Sequence, residues 1–309
     1  ISYISYILIE KPFRNRNLIK INIASYIYFS LIFTFLIIYV PFLNKENFYK
    51  NKISEEINDA LHIIKNLKNP LLECRGKINQ NSCIYGNNEK VTTLLWGDSH
   101  LNQISHVFKD IAENKNFGVI DKTIPGCAPI INTRREKNTR YNCKNLNDEI
   151  YSEILNNPKI ENVVLHASWR TYIDNDQIKS LNSSSIETTL INQVIELSRN
   201  KRVILIGNIP AMKMNVPKSF ARMKILNKKI NTEEFITSKN DHDTKTKKSN
   251  EIFNQLKNKK NIVVIYPSDF FCKDNSCLGF INNKILYRDN NHLSYFGGLV
   301  LYPELNRIF

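Results

Sequence analysis

The chain reads as an α/β protein, a three-layer α/β/α sandwich around about five parallel strands, preceded by a transmembrane helix. Three observations predict this. From residue 91 onward, short β-branched runs alternate with amphipathic stretches. The runs are apolar throughout rather than at every second position, which suits strands covered on both faces. The stretches between them space their apolar residues as helices do.

Taken in order, strands are predicted at Val91–Trp96, Gly118–Ile120, Asn162–Ala167, Arg202–Gly207 and Asn261–Tyr266. Helices are predicted at about 101–114, 147–156, 184–199, 246–258 and 294–308. Ahead of them, residues 44–90 are polar and partly helical, with apolar spacing at Ile57, Leu61, Ile64 and Leu67, and they end at Pro70 and a small cysteine loop. We read them as a linker packed on the main domain. Residues 21–43 carry no charge; at about 1.5 Å per residue they span a hydrocarbon core roughly 30 Å thick. The stretch is too long for a signal peptide and lacks a small-residue cleavage site. The domain plan is therefore 1–43 membrane, 44–90 linker and 91–309 main domain.

Residues 10–20 hold Lys11, Arg14, Arg16 and Lys20 against Glu10. The positive-inside rule places that loop in the cytoplasm and everything after residue 43 outside. Six cysteines fit an exported domain. They fall into sequence-local pairs, Cys74/Cys83, Cys127/Cys143 and Cys272/Cys277. Neighbour pairing is the simplest connectivity, although sequence does not decide it. Cys272-x4-Cys277 has the alternative of zinc, but no second pair with ligand spacing lies nearby.

The net charge is +14, and much of the excess lies in 218–260, with Lys245-x-Lys247-Lys248 and Lys257-x-Lys259-Lys260. A solvated helical face and a flexible insertion explain such runs most simply. Contact with anionic lipid or an acidic polysaccharide is the sharper reading. Nucleic acid is not expected as a partner of an exported domain.

Two motifs carry the chemistry. Trp96-Gly97-Asp98-Ser99-His100 follows the first strand, and Asp289-Asn290-Asn291-His292-Leu293-Ser294 precedes the last helix. Acyl transfer needs a hydroxyl that attacks, an imidazole that takes its proton and a carboxylate that orients the imidazole. Ser99, His292 and Asp289 supply those types, and Ser99 lies where α/β sheets place their sites, beyond the C-terminal ends of the strands. The same Asp-x-x-His spacing recurs at Asp59/His62, which reads as a surface helix pair. A turn with an N-cap would also explain Asp98 and Ser99 taken alone. Asp98, His100, Asp289 and His292 are suitable metal ligands by type, but their spacing matches no metal motif, so no metal is expected.

Gly97-Asp98-Ser99 and Asp289-x-x-His292 resemble the first and last signature blocks of the SGNH (GDSL-like) hydrolases. The Trp-Gly-Asp-Ser-His context resembles the SGNH domains fused behind a membrane acyltransferase-3 domain, which O-acetylate bacterial surface polysaccharides. Ile9-Glu10-Lys11-Pro12-Phe13-Arg14 resembles the end of that membrane domain, and residues 1–9 are expected to be the tail of a membrane helix whose domain lies upstream of Ile1. The resemblance implies an SGNH-hydrolase, flavodoxin-like fold. It also implies transfer of an acyl group, acetyl in the first instance, to a hydroxyl of a cell-surface or exported glycan such as lipopolysaccharide, with acyl-CoA as donor at the membrane domain and no cofactor in the SGNH domain. The location it implies is the bacterial inner membrane, with the catalytic domain in the periplasm.

In that reading Ser99 is the nucleophile and contributes its backbone N–H to the oxyanion, His292 is base and then acid, and Asp289 orients it. Gly126 matches the second oxyanion donor of the family. The third, an asparagine, is absent where His166-Ala167-Ser168-Trp169-Arg170 stands; Ser168, Arg170 or a backbone N–H is its candidate substitute. Trp169 and Arg170 are candidate substrate-binding residues, with Trp169 either a sugar-stacking platform or core packing. His166 reads as a packed strand residue, His100 is expected to point away from the nucleophile, and Asp98 to shape the turn. The competing functions are an exported carbohydrate esterase and a non-catalytic glycan-binding domain.

Overall fold

The computed structural model describes residues 6, 11, 27–35, 37, 71, 74, 76, 83–135, 140–226, 228, 232–282 and 284–309. Two units are distinguished, 1–58 and 59–309. In the first, residues 27–35 and 37 are helical, with Ile27, Leu31, Phe33, Phe35 and Ile37 exposed. Among the described residues no helix is long and apolar enough to cross a membrane; most of the expected span at 21–43 lies outside them. Asp59/His62 and most of the expected linker also lie outside.

The second unit holds a six-stranded sheet: β1 (Ile84–Gly86), β2 (Val91–Gly97), β3 (Gly118–Thr123), β4 (Asn162–His166), β5 (Arg202–Ile206) and β6 (Ile262–Ile265), in the order β1-β3-β2-β4-β5-β6. The five expected strands are there and mutually parallel. The sixth, β1, pairs antiparallel with β3 and caps that edge. It comes from residues the sequence placed in the linker, because three residues directly after a cysteine loop show no periodicity.

Successive strand residues point to opposite faces, and the core divides accordingly. Leu95, Val164 and Ile204 pack with α1 (Ser99–Lys115) and the C-terminal residues Leu301, Leu305 and Ile308. Leu94, Trp96, Val163, Leu165, Val203 and Leu205 pack with α2 (Cys143–Asn156), α3 (Ile186–Ser198) and α6 (Lys247–Leu256). This is the three-layer sandwich. Each buried Leu, Ile or Val stabilises it by about 1.5–3 kcal/mol before entropy is counted.

Two expectations change. The single helix expected over 294–308 is two, α7 (Tyr295–Leu299) and α8 (Tyr302–Ile308). Gly297 and Gly298 weaken the first, and Pro303, in the first turn of the second, has no N–H to continue it. The lysine-rich 218–260 stretch is largely ordered rather than a flexible insertion. It builds α4 (Val216–Ile225), the strand Ile236–Ser238, α5 (Lys239–Lys245) and α6. Several of its lysines find carboxylates, Lys239 with Asp243, Lys245 with Asp241 and Lys248 with Asp176.

The cysteines bond as neighbours, Cys74–Cys83, Cys127–Cys143 and Cys272–Cys277. Cys127–Cys143 ties the turn after β3 to the start of α2 across a separation of 16 residues. Closing a loop of that length removes unfolded-state entropy worth about 3 kcal/mol. Replacing both cysteines by serine should lower the urea-unfolding free energy by about that amount; a loss below about 1 kcal/mol would contradict this account of the loop.

Candidate active site

The site is built where β2 stops. A Cβ at Gly97 would collide with the His166 carbonyl oxygen and with Leu101, so glycine lets the end of β2 lie flush against β4 and the first turn of α1. Asp98 then caps α1. Its carboxylate accepts from the His100 N–H at 2.8 Å, the Ser168 N–H at 3.2 Å and the Tyr172 hydroxyl at 2.8 Å. Burial raises the Asp98 pKa against the pull of those donors. Burial, then the neighbouring Asp98, raises the Tyr172 hydroxyl, which stays a donor.

Ser99 is the first residue of α1, so its N–H is one of the four that a helix leaves unpaired. It has no acceptor among the described residues. The Ser99 Oγ lies 2.9 Å from His292 Nε2, and His292 Nδ1 lies 2.8 Å from Asp289 Oδ2. With the Nδ1 proton on the Asp289 side, Nε2 is left to accept from the serine; the network assigns this tautomer.

The loop holding Asp289 and His292 is fixed by its backbone. Tyr287 and Leu293 form a bridge, and the Arg288 N–H donates to the His292 carbonyl at 3.0 Å. Asp289 Oδ1 accepts from the Asn291 and His292 N–H groups, each at 2.8 Å. Burial pushes the Asp289 pKa up, but the His292 ring and those two N–H groups together hold it well below the usual carboxylate range. The Asp-x-x-His spacing is thus an Asx-type turn that sets the Asp289 carboxylate against the His292 ring, whose far nitrogen meets Ser99.

Gly126 lies in the turn after β3, with φ +77°, a region glycine enters without strain. Ile124, two residues before it, donates its N–H to the Gly97 carbonyl at 2.8 Å, which brings this turn to the Ser99 end of the sheet. The substitutes considered for the third donor are partly used. The Ser168 N–H serves Asp98, and the Arg170 N–H serves Asn208 Oδ1 at 2.7 Å.

Trp169 is not a sugar platform. Its ring is fully buried, with Nε1 bonded to the Ile206 carbonyl at 2.8 Å and its edge against Phe253. Arg170 does line a cavity of about 230 Å³, together with His100, Ser168, Asn208, Asn290 and Asn291. Its guanidinium makes no ion pair with a carboxylate among the described residues, although its charge reaches Asp241.

His100 also departs from expectation. Its ring lies against His292, centroids 4.5 Å apart, and forms a wall of the cavity. His166 meets the other side edge-on at 6.2 Å and bonds the Ile206 carbonyl from within the core. Asn208 was missed, although an asparagine directly after an apolar strand stands where α/β sites are built. It donates to Ser249 Oγ at 2.9 Å and is held rigid.

Burial, and then the charge of His292, pushes His100 down to about 3. Burial likewise holds His106, His166 and His242 at about 4, all below the ordinary imidazole value of 6.5. The unfolded chain takes up these protons first as pH falls. These four groups therefore contribute stability that is whole above pH 6.5 and lost on acidification toward 3–4; Asp98 and Asp121, raised by burial, act in the opposite sense. The ring signals of the four histidines in NMR spectra should stay in the neutral position from about pH 7 to about pH 5. Titration of any of them within that range would contradict their burial.

A family model described as "SGNH domain (fused to AT3 domains)" matches residues 73–307. No curated protein sequence matches the chain. Among solved structures, the fold is similar to the periplasmic domain of a lipopolysaccharide acetyltransferase of Salmonella ser. Paratyphi A. The identity is 18 %, the alignment covers 83 % of this chain and 97 % of that one, and the TM-score is 0.56. A putative SGNH hydrolase from Slackia heliotrinireducens matches at 13 % identity over 70 % of this chain and 97 % of that one, with a TM-score of 0.38. With the signature serine, aspartate and histidine assembled at the C-terminal end of a parallel sheet, and the family model spanning 73–307, the chain belongs to the SGNH domains of the kind fused to AT3 domains.

Proposed function

We propose that the chain transfers an acyl group, acetyl in the first instance, to hydroxyls of a cell-surface or exported glycan. The observation that carries this reading is the unbroken chain of contacts from Ser99 Oγ through His292 to Asp289, at 2.9 and 2.8 Å. The Ser99 oxygen attacks the acyl carbonyl as its proton passes to His292 Nε2. The Ser99 N–H, with Gly126 as second donor, takes the charge that develops on the carbonyl oxygen. Collapse of the tetrahedral species expels the donor's leaving group, which takes the proton from His292 and leaves an acyl ester on Ser99. A sugar hydroxyl in the adjoining cavity then attacks that ester and gives its proton to His292. Ser99 leaves with that proton, and the acylated glycan is the product.

The cavity suits such an acceptor. Its asparagines and serine offer neutral donors and acceptors, and Arg170 is the one full charge among those named. His100, kept neutral, places a second imidazole beside the reacting one without adding a positive charge that would lower its basicity.

The membrane side of the proposal rests on the apolar 21–43 stretch, whose described residues are helical with exposed apolar side chains. In it the acyl group comes from acyl-CoA through an acyltransferase-3 membrane domain, and this domain works in the periplasm. Three disulfides support an extracytoplasmic location.

The test is glycan acylation by cells carrying the protein joined to its membrane domain. Ser99→Ala and His292→Ala should each cut it by at least about a thousandfold; wild-type acylation in either variant would overturn the mechanism. The same active-site chain also serves hydrolysis. Rapid cleavage of a model ester, with no transfer to any glycan under matched conditions, would replace transfer by an esterase reading.

A further inference from the structure

A second cavity adjoins the catalytic loop. It measures about 530 Å³ and is lined by Lys218 and Arg222 of α4, Arg288 of the loop, and Pro217, Ala221 and Leu226. The Val216 N–H at the start of α4 donates to the Asp289 carbonyl at 3.2 Å, and Arg288 precedes Asp289 in the chain. The groove and the catalytic acid–base pair therefore share one piece of backbone.

The three cations have no carboxylate partner among the described residues, unlike Lys239, Lys245 and Lys248 of the same lysine-rich region. Arg288 makes a single side-chain hydrogen bond, to Gln103 Oε1 at 3.4 Å. Lys218 and Arg222 stand four apart on one helix, an arrangement of like charges that destabilises it by a few tenths of a kcal/mol. Between these cations the lining is apolar, and Leu226 is 52 % exposed.

A free anion would have no use for the apolar part, and a plain hydrocarbon none for three unpaired cations. An amphiphile with a phosphate at one end satisfies both. The arginines can take phosphate oxygens two at a time, and Pro217, Ala221 and Leu226 can cover the first carbons of the chain. We propose that this groove binds a lipid phosphate, a single apolar chain ending in a phosphate ester, beside the catalytic loop. The proposal rests on the groove alone and stands whether or not Ser99 is acylated.

The test uses decyl phosphate below its micelle concentration, titrated into the protein and followed calorimetrically. One equivalent should bind saturably, and more weakly as salt is added. Lys218→Gln with Arg222→Gln should weaken binding by at least about tenfold, and Leu226→Asp should do the same from the apolar side. Unchanged thermal midpoints confirm that these exposed substitutions leave the fold intact. Inorganic phosphate and decanol should each bind at least about tenfold more weakly than decyl phosphate. Equal binding by inorganic phosphate, equal binding by decanol, or undiminished binding by the charge variant would each overturn the proposal. So would binding to phosphatidylglycerol vesicles with none to the monomeric probe, since that is attraction to a surface rather than occupation of a groove.

Discussion

Asp98 lies 1 % exposed where β2 ends, and its carboxylate collects hydrogen bonds from the first turn of α1, from Ser168 after β4 and from Tyr172 beyond it. A carboxylate withdrawn from water costs several kcal/mol unless donors replace the lost hydration. Here three donors from two chain segments replace it at one point. Because Ser99 is the next residue, whatever holds Asp98 also holds the proposed nucleophile. The glycine before it adds the close approach to β4, and the helix after it adds the unpaired N–H. One short stretch, 97–99, thus joins the strand end, the helix cap and the Ser99 hydroxyl. The distant 288–293 loop need only supply an oriented imidazole.

That loop solves a different problem. Its residues belong to no long helix or strand, yet the imidazole must sit within hydrogen-bond reach of Ser99. Asp289 does the local work with both oxygens, one on two backbone N–H groups and the other on the ring. The same bonds that shape the turn keep the carboxyl ionised. A carboxylate held charged is what stabilises the imidazolium formed in acyl transfer. The four buried histidines lack this arrangement and are held neutral by burial. Among the histidines described, His292 alone is paired with a carboxylate.

Much of this was legible in the sequence, for definite reasons. Parallel strands buried on both faces must be continuously apolar, so Val163–Leu165 and Val203–Ile206 announced themselves. The Ser, Asp and His of the two motifs were recognisable because their local spacing is itself the geometry: a cap followed by a helix, and an Asx turn. What escaped depended on contacts between distant segments. Trp169 has the residue type of a sugar platform, and only the packing of Phe253 and the Ile206 carbonyl makes it core. His100 was expected to face away from Ser99. The helix does turn it, but toward the place where the loop near residue 292 brings a second ring. Asn208 carried no motif, and its role in the cavity follows from Arg170 and Ser249, which are distant in the chain. The edge strand β1 is too short to show a period, and the break between α7 and α8 was written in Gly297, Gly298 and Pro303.

The most direct measurement of the proposed chemistry is the mass of the Ser99 peptide. The domain is quenched during turnover of a simple acetyl ester, digested, and weighed peptide by peptide. The account predicts one acetyl group on the peptide carrying Ser99, and none there in the Ser99→Ala protein. Continued ester consumption with an unmodified Ser99 peptide, or equal acetylation of the Ser99→Ala peptide, would contradict it.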